Sequence, residues 1–77
     1  MIRVRYFAAA AERAGTDVED RSESTLAALR AGIAADHPGV AEILSRCALL
    51  ADGVRVDDDG ALEGVSTVDV LPPFAGG

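Results

Sequence analysis

Thr67-Val68-Asp69-Val70-Leu71-Pro72-Pro73-Phe74-Ala75-Gly76-Gly77 is the stretch that decides the fold, and its two halves obey different rules. From Thr67 to Leu71 the apolar Val68 and Val70 alternate with polar neighbours, which predicts a strand with both valines on one face. Pro72 and Pro73 then remove two N–H donors and stiffen the backbone into an extended approach. Gly76 and Gly77 follow without side chains, so another backbone can come close and the terminal carboxylate can thread a narrow channel. The plain alternative is a frayed end without a role. The chain thus divides into a domain over residues 1–71 and an extended diglycine tail over residues 72–77.

A strand that delivers a tail needs a sheet to belong to. Ile2, Val4 and Tyr6 alternate with Arg3, Arg5 and Phe7, which predicts a central strand with one buried face. Ala8 to Ala14 turns alanine-rich, with Gly15 as the helix stop. Between Thr16 and Ser22 only Val18 is strongly apolar, so a strand there is short, polar and at a sheet edge. Ser24 or Thr25 caps the main helix, whose Leu26, Leu29 and Ile33 recur along one side. Gly32 inside it costs about 1 kcal/mol relative to alanine. Pro38 ends that helix by disfavouring helical geometry at His37, and Val40, Ile43 and Leu44 predict one further helical turn. Ala48 to Ala51, the Asp52-Gly53 turn, and Val54 with Val56 form a hairpin. The whole predicts an α+β domain: a mixed sheet with one main helix packed on one face.

Composition narrows what such a domain does. A chain of 77 residues has room for one modest core and is too short for its own nucleotide cleft, so its chemistry involves a larger partner. Its formal net charge of −6 argues against nucleic acid and anionic membranes and favours a basic partner surface. No lysine occurs among the seven basic residues, which are all arginines, so self-linkage through side-chain amines is excluded and the N-terminus is the sole primary amine. Cys47, the single cysteine, permits no intrachain disulfide, fits a reducing cytoplasm, and reads as a small buried hydrophobe. The apolar run after Arg5 is too short for a secretion signal and stops at Glu12, and no segment is long enough to span a membrane.

The candidate sites within the body fail one by one. Asp57-Asp58-Asp59-Gly60 does not fit an EF-hand loop, because Arg55 and Ser66 would occupy ligand positions; it reads as a solvated acidic turn. His37 lacks a second histidine or clustered cysteines and reads as a polar or cationic helix end, not a metal ligand. Neither a GxxxxGK loop nor a serine-histidine-acid constellation is present. The domain reads as a substrate of other enzymes, which directs attention back to the tail.

Tyr6-Phe7-Ala8-Ala9-Ala10 with Glu12 and Gly15, His37-Pro38-Gly39, Asp52-Gly53, and Leu71-Pro72-Pro73 with Gly76-Gly77 resemble the molybdopterin synthase small subunits (MoaD) among the ubiquitin-like sulfur carriers. Ala11 in place of a frequent arginine, Asp52 in place of a frequent asparagine, and the polar second strand depart from that pattern. The resemblance implies a β-grasp fold with parallel first and last strands, in which Arg3 and Arg5 face Asp69 opposite the main helix. It implies that Gly77 is adenylated and then thiocarboxylated by an E1-like adenylyltransferase/sulfurtransferase that uses ATP and magnesium, this chain binding no cofactor itself. It further implies a cytoplasmic heterotetramer with the synthase large subunit, into which Pro72, Pro73, Phe74, Ala75 and Gly76 carry Gly77. Phe74 on such a tail is either an incidental apolar residue or an anchor filling a partner pocket, and the enrichment of aromatics at binding hot spots favours the anchor. Carriers for thiamine, cysteine or tRNA thiolation share the diglycine, although the Tyr6-Phe7-Ala8 start argues against the thiamine branch. A ubiquitin-like modifier of target lysines and a plain interaction domain are the remaining alternatives.

Overall fold

The computed structural model describes residues 1–56 and 60–73. Strand β1 (Ile2–Tyr6) leads to helix α1 (Ala9–Ala14) and strand β2 (Val18–Arg21), then to helices α2 (Leu26–Asp36) and α3 (Pro38–Leu44). Strands β3 (Ala48–Ala51), β4 (Val54–Val56) and β5 (Thr67–Leu71) complete one five-stranded sheet in the order β2-β1-β5-β3-β4. β5 lies between β1, to which it is parallel, and β3, to which it is antiparallel. The tail-bearing strand is thus hydrogen-bonded on both sides.

Alternation decides which face is buried. Ile2, Val4 and Tyr6 of β1, Val68 and Val70 of β5, and Leu49 of β3 point to the helical side, where Leu26, Leu29 and Ile33 of α2 meet them. α3 is a full helix rather than a single turn. Pro38 occupies its first turn, where a missing N–H costs nothing, while Val40, Ile43 and Leu44 extend the same core. Proline therefore ends one helix and starts the next, with His37 at the junction (φ −131°, ψ 80°).

Local chemistry fixes the ends. The Thr25 hydroxyl accepts from the Ala28 N–H at 3.1 Å and caps α2. Gly15, at φ 76°, closes α1 by donating to the Ala11 carbonyl at 2.9 Å. In the hairpin turn Asp52 adopts φ 48° and Gly53 φ 85°. The Asp52 carboxylate also accepts from the N–H groups of Ser66 at 3.1 Å and Thr67 at 2.9 Å, which ties the hairpin to the start of β5. Both bonds fall on Oδ1, an acceptor that an asparagine would also offer, so the acidic departure leaves this tie unchanged.

The polar character of β2 also has a cause. Glu19 and Arg21 point inward at the sheet edge, and Val18 points out. Glu19 accepts from the Tyr6 hydroxyl, lies 3.1 Å from His37 Nε2 and 3.2 Å from Arg21 Nη1. Arg21 also pairs with Glu23 at 2.8 Å and Asp36 at 3.0 Å. Gly32 makes room for this cluster: a Cβ there would collide with the Glu23 carboxylate and stand 2.6 Å from Arg21 Nη2. His37 makes no side-chain cap bond; its ring crosses to β2 instead, edge-on to Tyr6 with centroids 5.6 Å apart.

Candidate functional site

β5 carries the chain to the edge of the sheet bounded by the end of β1 and the start of β3. The Phe7 N–H donates to the Val70 carbonyl at 3.2 Å, and Ala48 stands opposite Leu71. Support on both flanks thus continues to the last strand residue. Pro72 is buried and Pro73 exposed, so the first proline packs on the body and the second leads away. Phe74, Ala75, Gly76 and Gly77 lie outside the described residues, as do Asp57, Asp58 and Asp59 of the acidic turn.

Beside the tail root, the outer sheet face carries a row of residues set by strand register. Val18 stands opposite Arg5, Arg5 opposite Asp69, Asp69 opposite Leu50, and Leu50 opposite Arg55. Arg5 and Asp69 form a two-pronged ion pair, Nε to Oδ1 at 2.6 Å and Nη2 to Oδ2 at 2.8 Å. This geometry suits a planar guanidinium against a carboxylate, and it holds the Arg5 pKa above the usual value. Asp69 is only 7% exposed, so Arg5 supplies hydrogen bonds that the buried carboxylate no longer takes from water. Arg5 also lies over the Phe7 ring, 5.7 Å from the centroid. Arg3, predicted to share Asp69, pairs with Asp20 at 3.4 Å instead, because β2 places Asp20 directly opposite it.

Phe7 and Val18 are the large apolar side chains exposed at this end of the face, and with Arg5, Ala8 and Asp17 they line a hollow of about 430 Å³. A wider groove of about 680 Å³ opens at the other end of the sheet around Met1, Arg21, Thr25 and Glu63, away from the tail root. The hollow, not the groove, lies at the end of the sheet where β5 finishes. Cys47 precedes the residue opposite Leu71; its thiol donates to the Ile43 carbonyl at 3.3 Å, and burial pushes its pKa up. Among the described residues no cluster of three or more histidine, cysteine or carboxylate side chains can hold a metal ion. No helix among the described residues is long and apolar enough to cross a membrane.

The inward Glu19 and Arg21 cluster escaped the sequence reading, although Glu19, Arg21 and Glu23 recur at every second residue, the period of one strand face.

The model of the ThiS family matches residues 4–77, thereby running through the diglycine. Among curated proteins, none matches this sequence. The fold is similar to that of SAMP1 from Haloferax volcanii, with a TM-score of 0.78 at 18% identity, covering 99% of this chain and 98% of that one. It is similar to a provisionally named molybdopterin converting factor subunit 1 from Pyrococcus furiosus, with a TM-score of 0.76 at 23% identity, covering 95% and 97%. A protein-protein complex of subunits 1 and 2 of molybdopterin-converting factor from Helicobacter pylori contains a chain that matches with a TM-score of 0.70 at 26% identity, covering 99% and 97%. The mixed sheet with helices on one face is the ubiquitin-like β-grasp.

Proposed function

The chain belongs to the ThiS family of ubiquitin-like sulfur carriers, and from that premise we propose that it carries sulfur as a thiocarboxylate on Gly77 and donates it as the small subunit of a molybdopterin synthase. The observation that carries this reading is the family match running from the body through Gly77. The molybdopterin converting factor neighbours favour the synthase branch, and the subunit 1 and 2 complex among them supports a large-subunit partner.

The chemistry follows from the terminus. A terminal carboxylate, with an ordinary pKa of about 3.3 to 3.7, is anionic in the cell and a poor electrophile. An E1-like partner, using ATP and magnesium, converts it to an acyl-adenylate with loss of pyrophosphate. A persulfide sulfur then attacks the acyl carbon and AMP leaves, and a second thiol cleaves the resulting S–S bond to free the thiocarboxylate. Gly77 then presents a soft, nucleophilic sulfur on a tail of six residues that, nearly extended, spans about 20 Å. The large subunit receives it, with Phe74 as an anchor, and sulfur passes to a cyclic pyranopterin to build the dithiolene. This places the work in a reducing cytoplasm, where thiols and ATP coexist.

Intact mass spectrometry tests the reading. Incubation with the adenylating enzyme, ATP, magnesium and a sulfur donor should exchange one oxygen of Gly77 for sulfur. Subsequent transfer to the pyranopterin precursor with the large subunit present would assign the synthase branch, and transfer only to a thiazole or tRNA acceptor would assign another. Isopeptide adducts on lysines of other proteins would mark a modifier. An unchanged mass with a competent enzyme would sink the carrier reading.

A further inference from the structure

An activated Gly77 is an acylating agent, and any amine or thiolate within reach competes with the sulfur donor. We propose that the body is built as a non-acceptor for its own activated terminus, through its lysine-free composition, the engagement of Tyr6, His37 and Cys47, and the topology that separates the tail from Met1. The proposal rests on the activation of Gly77 and concerns what protects that state.

The first part is compositional. Every basic side chain is an arginine, whose guanidinium stays protonated and does not acylate under cellular conditions. Tyrosine, histidine and cysteine occur once each, and each of these three side chains is engaged. Tyr6 is 2% exposed and its hydroxyl donates to Glu19. His37 is tied to the same carboxylate through Nε2 at 3.1 Å. Cys47 is the dangerous one, because its neighbour Ala48 stands opposite Leu71 at the tail root. It is half-buried and its thiol proton points to the Ile43 carbonyl, so the reactive thiolate is disfavoured where it would do most harm.

The second part is topological. Parallel pairing of β1 with β5 aligns Arg3 with Thr67 and Tyr6 with Val70, so both strands run toward the tail root. In a chain that starts at Met1, the α-amine therefore lies at the opposite end of the sheet, roughly 20 Å from Leu71 at about 3.3 Å per residue. The tail reaches that far only by doubling back along its own sheet. An antiparallel pairing of the same strands would have put amine and tail side by side.

The step avoided is simple aminolysis. The amine nitrogen bonds to the Gly77 carbonyl carbon, the bond from that carbon to the leaving group breaks, AMP or a thiol departs, and the amine proton goes to solvent. A full-length Gly77 alkyl thioester, made chemically, tests the proposal without any activating enzyme, so its outcome is independent of whether sulfur loading occurs. Arg46 is exposed at the tail end of the sheet, two residues before Ala48, and Arg46→Lys keeps the charge while adding an amine there. At about pH 9.5, where part of a lysine population is unprotonated, the unaltered chain should lose its thioester by hydrolysis alone. The variant should give a ring-closed product, with the introduced amine joined to Gly77, at least about tenfold more abundant than in the parent, reflecting the millimolar effective concentration of a tethered group. Peptide mapping locates the bond, and circular dichroism checks that both proteins are folded. Ring closure of the unaltered chain at Met1 or Cys47 to a similar extent would overturn the proposal, and so would a variant no more self-reactive than its parent.

Discussion

Ala8 adopts φ 51° and ψ −125°, a conformation that L residues rarely take, and it does so in the turn where the Phe7 carbonyl accepts from the Ala10 N–H at 3.0 Å. The turn redirects the chain from β1 into α1 beside the hollow that Arg5, Phe7 and Val18 line. Backbone strain of this kind costs roughly 1 to 3 kcal/mol. Glycine would remove most of that cost and would add about 0.4 to 1 kcal/mol of unfolded-state entropy. Strain relief is the larger effect, so Ala8→Gly should stabilise the protein by about 1 kcal/mol, seen as a higher denaturant midpoint with unchanged slope. A lower midpoint would show that alanine is at ease there. Nothing in the alanine run from Ala8 to Ala11 distinguishes this residue, because φ is set by the geometry of entry into the helix and not by the side chain it constrains.

At the scale of elements, β2 is held by ionic contacts where other strands are held by apolar ones, and its stability should depend on pH. Burial alone would raise the Glu19 carboxyl, but hydrogen bonds from Tyr6, His37 and Arg21 outweigh it and hold its pKa below the usual value. Hydrogen bonding to Arg21 holds Glu23 low as well. Carboxyls depressed in the fold add stability above their unfolded pKa of about 4.3, and that stability is lost as pH falls through the folded values. Tyr6 works in the opposite sense. Burial, with Glu19 adding to it, raises its pKa, so its stabilisation is present below the unfolded value of about 10 and is lost as pH rises above it. Thermal midpoints should therefore fall below about pH 4.3 and above about pH 10. Glu19→Gln should flatten the acid limb, and an unchanged acid limb would remove Glu19 from the account. Period-two alternation revealed β1 and β5 because their inward residues are Ile, Val and Tyr. In β2 the same period was filled by Glu19 and Arg21, so an apolarity criterion found only a weak edge strand. Likewise α3 read as one turn because its seven residues are short for a helical period and begin with the proline that also stops α2.

For the whole molecule, the sequence made the end of β5 legible through an alternating strand that runs into two prolines. What it left hidden is the setting of the tail root, since Pro72 is buried just past a strand that β1 and β3 flank on both sides. That burial defines where the body stops positioning the chain, and it makes tail length a quantity the molecule must control. With β5 paired on both sides, the root is fixed relative to any partner docked on the body. Each residue beyond it then moves Gly77 by about 3.3 to 3.6 Å when extended. A misplacement of about 1 Å in a reacting group can cost 100-fold in rate. Removing Ala75 leaves β5, Pro72 and the terminal diglycine intact, yet withdraws Gly77 by several times that distance. The shortened chain should therefore keep its thermal midpoint and lose sulfur transfer to the acceptor by at least about 100-fold in single-turnover assays started from preformed thiocarboxylate. Transfer at the parental rate would mean that the partner, and not the reach set at Leu71 and Pro72, positions the sulfur.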